Sequence, residues 1–303
     1  MQIQYRRLCD ADAKALVQFL RLSETTTLFL QNNLHLTGVT YQGLDFQGEY
    51  VGAFKETKLC AVVVHYWNGM MMGHARDLDF LHQLCEQSMQ LFHRPVAGII
   101  GETRVVRAIE SAFAINTAAK SMDSDDDLFE LPLDQCLALP ALPYQWTVAP
   151  AHKTDFELLV KWVKNYNIEA LGSADTAELD QTIRADVMRS NTNRNRWVLS
   201  VAGEPLALAG LNAQLPHMVQ IGPVWTPMEH RKRGYASMLL SSMLQQAYAR
   251  QVQTAILFTN NPVAAKVYIT LGFKVVGTFT LCFFKEAIAL CPKALRSQPC
   301  TTL

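Results

Sequence analysis

Two short stretches of this chain concentrate the residue types that could grip an anion and move a proton. The first is Val224-Trp225-Thr226-Pro227-Met228-Glu229-His230-Arg231-Lys232-Arg233-Gly234-Tyr235-Ala236-Ser237. It reads as an apolar strand that ends in a basic turn and opens directly into a helix. From Ala236 onward, Leu239, Leu240, Met243, Leu244 and Ala247 recur at helical spacing and form one apolar stripe. Gly234 stands where the chain turns sharply and where a side chain would hold a ligand off the backbone. A helix that starts there presents unpaired N–H groups and the positive end of its dipole, which suits phosphate. Arg231, Lys232 and Arg233 add charge.

The second stretch is Asn261-Pro262-Val263-Ala264-Ala265-Lys266-Val267-Tyr268-Ile269-Thr270-Leu271-Gly272-Phe273. Asn261 before Pro262 is a strong helix N-cap, because proline suits the first helical position and asparagine satisfies orphan N–H groups. Gly272 closes the same helix. Tyr268 carries a phenol that could protonate a leaving group, or could simply pack with Ala264 and Leu271.

These stretches, in this order, resemble the signatures of the GNAT superfamily of N-acetyltransferases. Arg231-x-x-Gly234-x-Ala236 is similar to the family's Arg/Gln-x-x-Gly-x-Gly/Ala turn, and 261–273 to its Asn-x-x-Ala-x-x-x-Tyr-x-x-x-Gly-Phe segment. The chain looks most like the FR47-like branch of predicted acetyltransferases, whose members carry a preceding domain of similar length. The resemblance implies acetyl-CoA as co-substrate, no metal, and direct acyl transfer to a primary amine, which a peptide α-amine, a lysine, an amino acid, a polyamine or an aminoglycoside could each supply. It gives the backbone of Val224, Trp225 and Thr226 to the pantetheine arm and the thioester carbonyl. Backbone N–H groups from Lys232 through Arg233, Gly234, Tyr235 and Ala236 to Ser237 would cradle the pyrophosphate. Asn261 would touch the cofactor arm in addition to its cap, and Tyr268 would act as general acid. The family often has glycine at the places of Lys232 and Ala236; both changes narrow the approach without removing a donor.

A general base does not emerge. Many relatives place a glutamate on the strand before the turn, where this chain offers His217 and Gln220. Glu169, Glu229 (expected to pair locally in the basic turn) and a water relay stay open. A chain that keeps the fold and the acyl-CoA pocket without catalysing transfer is the competing expectation.

Positioning these residues takes a mixed α/β fold. Its second half orders as an entering strand at Tyr144–Val148, helices at Thr154–Ala170 and Thr176–Ser190, and strands at Trp197–Ala202 and Pro205–Leu211. The strand His217–Thr226, the helix Tyr235–Gln251, the strand Thr254–Thr259, the helix Pro262–Leu271 and strands within Lys274–Phe284 follow. The first half repeats the pattern, with helices Ala11–Leu22 and Glu24–Leu34 (Ser23 as N-cap) and strands Glu49–Lys55, Lys58–Trp67 and Met70–Ala75, the last entered by Asn68-Gly69. Helix Leu78–Phe92, strand Val96–Ile100, helix Glu102–Phe113, an acidic loop Ser121–Asp127 and a strand Leu128–Leu133 complete it. This predicts a tandem of two GNAT-like domains, 1–140 and 141–290, with a tail 291–303 and the acetyl-CoA site in the second. Pro140 and Pro143 mark the boundary. In the first half the place of the anion turn, Met70–Asp77, lacks the glycine spacing and carries an aspartate where phosphate would sit. That half reads as a degenerate copy without cofactor, or else as an unrelated α/β domain.

Bulk properties agree. At 303 residues, half apolar and 18% charged, two soluble domains are expected. Net charge is zero, yet residues 1–140 carry 11 − 17 = −6 and residues 141–303 carry 16 − 10 = +6, so the basic half holds the anion turn. That balance argues against a nucleic-acid binder. Seven scattered cysteines without a Cys-x-x-Cys pair, no apolar signal-peptide core and no membrane-length apolar run lead us to expect a cytoplasmic protein, monomer or homodimer, without disulfide or zinc.

Overall fold

The computed structural model describes residues 3–88, 94–137 and 145–290. The first half runs β1 (Ile3–Arg7), α1 (Ala13–Arg21), α2 (Glu24–Thr37), β2 (Gly48–Lys55), β3 (Lys58–Tyr66), β4 (Met70–Ala75), α3 (Leu78–Ser88), β5 (Val96–Glu102), α4 (Thr103–Ala112) and β6 (Lys120–Pro132). The second half repeats that order as β7 (Trp146–Pro150), α5 (Phe156–Leu171), α6 (Ala177–Asn193), β8 (Arg196–Val201), β9 (Glu204–Gln214), β10 (Met218–Trp225), α7 (Tyr235–Ala249), β11 (Thr254–Thr259), α8 (Pro262–Leu271) and β12 (Lys274–Ile288). The tandem expected from the sequence is therefore present, with β1 as an added strand.

Contacts divide the chain into one unit of Met1–Asp126 with Gly277–Leu303, and a second of Asp127–Val276. This differs from a division at residue 140, and the reason is pairing. The 127–132 part of β6 runs antiparallel to β11, from Asp127↔Thr259 to Pro132↔Thr254, inside the second unit. Residues 279–288 of β12 run antiparallel to β5 inside the first. Each repeat thus closes its sheet with the other repeat's last strand. The prolines at 140 and 143, and the tail 291–303, lie outside the described residues, as does the end of the helix expected to reach Phe92.

Within the second unit the strand order is β7-β8-β9-β10-β11-β6. Side chains alternate across it. Trp197 and Leu199 of β8 join Leu239, Leu240, Met243 and Leu244 of α7 in one core, whereas Val198 joins Leu159, Val163 and Val187 of α5 and α6 in another. Helices therefore cover both faces. Their ends carry local signals: the Asp155 carboxylate accepts from Leu158 N–H at 2.8 Å, the Thr176 hydroxyl accepts from Leu179 N–H at 3.1 Å, and Gly172 ends α5 in the left-handed region at φ 64°.

In the first unit the order is β1-β2-β3-β4-β5-β12. The Asn68-Gly69 turn forms as expected, with Gly69 at φ 79° and the Asn68 side chain accepting from Met70 N–H at 3.2 Å. Two expectations are corrected. Ser23 precedes α2 but makes no side-chain cap; its carbonyl instead accepts the Thr27 hydroxyl at 2.9 Å. The acidic stretch Ser121–Asp127 is strand, not loop, because Arg107 reaches Asp123 at 2.7 Å and Asp125 at 2.6 Å. Lys120 holds Glu110 at 2.5 Å and Asp123 at 2.7 Å. Two of the four carboxylates that suggested a solvated loop, Asp123 and Asp125, are thus ion-paired. The described cysteines, Cys9, Cys60, Cys85, Cys136 and Cys282, are free thiols.

Candidate active site

The site begins where β10 leaves its neighbour. The parallel ladder with β11 runs from Met218↔Thr254 to Gln220↔Ile256 and stops there. On its other edge β10 stays with β9 to Trp225↔Leu208, but slips register between Ile221↔Leu211 and Val224↔Ala209. Gly222 and Pro223 of β10 thus face Gly210 alone on β9, a bulge that bends the strand. Meanwhile β11 stays paired with β6 as far as Thr259. The result is a wedge between 221–225 and 257–259, in which neither strand satisfies the other's backbone. Val224 and Trp225 lie on one wall and Thr226 at its end, where a chain-like ligand could complete the ladder.

After β10 a 3-10 turn at Met228–His230 leads to Arg231. Lys232 then adopts φ 61° and Gly234 φ 82°, two left-handed residues in three, before α7 starts at Tyr235. That alternation turns successive N–H groups toward one concavity. It also explains why glycine would suit position 232, since a lysine there carries a left-handed strain of about 1–2 kcal/mol. Among the described residues, the N–H groups of Lys232, Arg233, Gly234, Ala236 and Ser237 meet no protein acceptor. The side chains of Lys232 and Arg233 are exposed and have no ion-pair partner among the described residues. The turn is an open, positively charged cradle, and it fits a diphosphate.

Arg231 is placed differently from its neighbours. Its guanidinium forks onto the Glu169 carboxylate at 2.8 and 2.9 Å, its Nε donates to the Thr226 carbonyl at 2.9 Å, and it lies 4.8 Å over the Trp225 ring. Rather than adding charge at the phosphate position, it ties the end of α5 to the last residues of β10. The same contacts engage Glu169. Glu229 has no ion pair among the described residues, so the local pairing expected for it does not form. Gln220 is 2% exposed; its amide nitrogen donates to the Ile221 carbonyl at 2.7 Å and its oxygen is enclosed without a partner.

Asn261 caps α8 as expected, accepting from Val263 N–H at 2.9 Å and Ala264 N–H at 3.3 Å, and Gly272 ends the helix at φ 103°. The Tyr268 ring is buried against Phe129 and Phe273. Its hydroxyl meets no protein partner among the described residues, yet it is not one of the enclosed orphan atoms. Burial, with a smaller contribution from the Tyr166 phenol, pushes its pKa up, so the group stays protonated. A protonated, unpartnered phenol is what a proton donor needs.

One feature escaped sequence reasoning: a cleft of about 360 Å³ between α5 and the end of β10, with Trp162 and Trp225 in its wall. The Glu169–Arg231 pair that bounds it joins residues 62 positions apart. The sequence signal was an arginine in a motif with no assigned carboxylate.

The first unit has a comparable wedge, since the parallel pairing of β4 and β5 ends at Met71↔Ile99. Here it is self-filled. The Arg104 guanidinium donates to the Ala75 carbonyl at 3.0 Å and pairs with Glu102, and the Asp77 carboxylate accepts from Asp79 N–H at 3.0 Å at the start of α3.

A fold of two repeated βαα-βββ-α-β-α-β units, with a strand wedge and an open helix N-terminus in the second, defines a tandem acetyltransferase-type architecture. Residues 157–273, within the second unit, match the acetyltransferase (GNAT) family. No curated protein matches the chain. Among solved structures it is similar to a GCN5-related N-acetyltransferase from Sphaerobacter thermophilus, with TM-score 0.58 and 16% identity over 95% of this chain and 98% of the other. A Drosophila protein gives TM-score 0.61 and 12% identity over 92% and 98%. A tandem GNAT protein from the clavulanic acid biosynthesis pathway gives TM-score 0.55 and 11% identity over 93% and 98%. At such identities the likeness is one of fold.

Proposed function

We propose that the protein is an N-acetyltransferase that moves an acetyl group from acetyl-CoA directly to a primary amine. The observation that carries this is the conjunction of the open wedge beside Val224, Trp225 and Thr226 with the N–H groups of Lys232, Arg233, Gly234, Ala236 and Ser237, which meet no protein acceptor among the described residues. The turn holds the diphosphate, with Lys232 and Arg233 supplying charge, and the wedge receives the pantetheine arm. A free N–H near the end of β10 stabilises the developing oxyanion. The neutral amine attacks the thioester carbon, the C–S bond breaks, Tyr268 gives its proton to the departing thiolate, and the proton released from the amine nitrogen returns to the phenolate through a water relay. Asn261 caps α8 beside the arm. The first unit, its own wedge filled by Arg104, works without cofactor.

A second reading is a non-catalytic acyl-CoA-binding module. Glu169 is engaged by Arg231, and β10 presents the amide of Gln220 rather than a carboxylate, which favours this alternative. We further propose a cytoplasmic protein, monomer or homodimer, with no nucleic-acid or membrane partner and no metal; among the described residues no helix is long and apolar enough to cross a membrane. Calorimetric titration with acetyl-CoA, followed by thiol release over a panel of amines, tests the proposal. Binding with turnover supports transfer, and binding without turnover for any amine supports the module. No uptake by the folded protein removes both.

A further inference from the structure

We infer that the cleft between α5 and the end of β10 is the acceptor site, and that it takes a small, singly charged primary amine carried on an apolar, aromatic body. This rests on the acetyl-transfer reading, because the cofactor arm would enter the wedge along the other edge of the same strand end. The acceptor must then reach the thioester from the α5 side, where the cleft opens beside Trp225 and Pro227.

Its volume, about 360 Å³, lies at the small end of ligand pockets, roughly 300–1,000 Å³. Trp162 and Trp225, 5% and 7% exposed, line it together with Pro227 and with Met228, which is 74% exposed. An exposed thioether with two tryptophans in one lining is an adaptable wall for a flat ring.

Charge narrows the class further. Arg231 neutralises Glu169, which leaves Glu229 as a lining carboxylate without an ion pair among the described residues. It can hold one ammonium. Lys161, another lining residue without an ion pair among the described residues, repels a second cation. A polyamine or aminoglycoside would bring several positive charges to a cleft with one counter-charge to offer.

The test is titration of the full chain, with and without coenzyme A, with phenethylamine and with spermidine, read by tryptophan fluorescence and calorimetry. Phenethylamine should bind saturably and shift the tryptophan emission, and spermidine should bind at least tenfold more weakly. Glu229→Gln should weaken phenethylamine about tenfold, the loss of one charge-assisted contact, with acetyl-CoA affinity unchanged. Lys161→Glu should narrow the gap between the two amines. The inference is overturned if phenethylamine does not bind, if spermidine binds more tightly, or if Glu229→Gln leaves phenethylamine unaffected. Thiol release separates the two claims. Phenethylamine bound as described, with no thiol release from it or from any other amine of the panel, removes the transfer reading and leaves the amine-binding cleft standing. Acetylation of spermidine in preference to phenethylamine does the reverse.

Discussion

Replacing Tyr268 by phenylalanine isolates one oxygen atom. The ring packs with centroids 6.1 Å from Phe129 and 6.0 Å from Phe273, and phenylalanine keeps both contacts. The hydroxyl makes no protein hydrogen bond among the described residues, so its removal leaves no partner stranded. Stability should therefore change by less than about 0.5 kcal/mol, whereas Tyr268→Ala, which empties the ring's place, should cost about 3–5 kcal/mol. Catalysis should respond in the opposite order of subtlety. Loss of a general acid costs roughly 10²–10⁴-fold in rate, or about 3–5 kcal/mol of barrier. Acetyl-CoA affinity should stay constant, so the loss appears in kcat. Burial raises the phenol's pKa, so the wild-type rate should show no alkaline decline from Tyr268 in the neutral range. The assays are thiol release under saturating acetyl-CoA, calorimetry for the cofactor and urea unfolding for stability. Wild-type kcat in Tyr268→Phe would refute the acid role and leave Tyr268 as core packing.

Three further outcomes follow from the geometry. Arg231→Lys keeps the charge but loses the fork on Glu169, the bond to the Thr226 carbonyl and the stack on Trp225. With side chains 34% and 47% exposed, the ion pair is worth about 0–1 kcal/mol, the carbonyl bond about 1–1.5 and the stack about 0.5–1. Urea unfolding should show a loss of about 2–3 kcal/mol for Arg231→Lys, against under ~1 for Glu169→Gln; equal losses would show that the carbonyl and ring contacts contribute nothing. Asn261→Ala should cost about 1 kcal/mol through the lost cap, and Asn261→Asp should restore it. Reduced acetyl-CoA affinity in a folded Asn261→Asp would mark a contact beyond the cap. His74 is 1% exposed, and burial, then Arg104 and Arg76, lowers its pKa from 6.5 to about 4. The folded state keeps it neutral while the unfolded chain takes a proton below pH 6.5. Its contribution is thus complete above pH 6.5 and lost as pH falls toward 4, by up to about 3 kcal/mol. Urea midpoints measured from pH 7 to 4.5 should fall more steeply for wild type than for His74→Phe; parallel curves would contradict this.

Much of the site could be read before any coordinates. Gly234, the stripe through Leu239, Leu240, Met243, Leu244 and Ala247, and the Asn261-Pro262 start with its Gly272 stop are short-range features. Each is set by one residue's conformational freedom or by neighbours within four positions, so β11 and α8 emerge at their expected bounds. The repeated order of elements was legible for the same reason, since periodicity is local. The acidic segment from Ser121 to Asp127 was misread because its strand depends on cations elsewhere, Arg107 above all.

What tertiary structure alone decided is everything that depends on which distant segments meet. The exchange of β6 and β12 between units is a choice of sheet edge, and an edge accepts any strand of suitable register, whichever repeat encodes it. The end of the β10–β11 ladder at Gln220 is a three-dimensional divergence: Gly222-Pro223 signals an interruption of the strand, but not where its pairing with β11 stops. Arg231 has the composition of a phosphate ligand, and only the arrival of Glu169 from α5 turns it into a brace. The chain alone could specify where an anion would be held, because a helix start carries its own dipole and donors. It could not specify the acceptor's cleft, because that space is bounded by side chains brought together only when α5 packs across the end of β10.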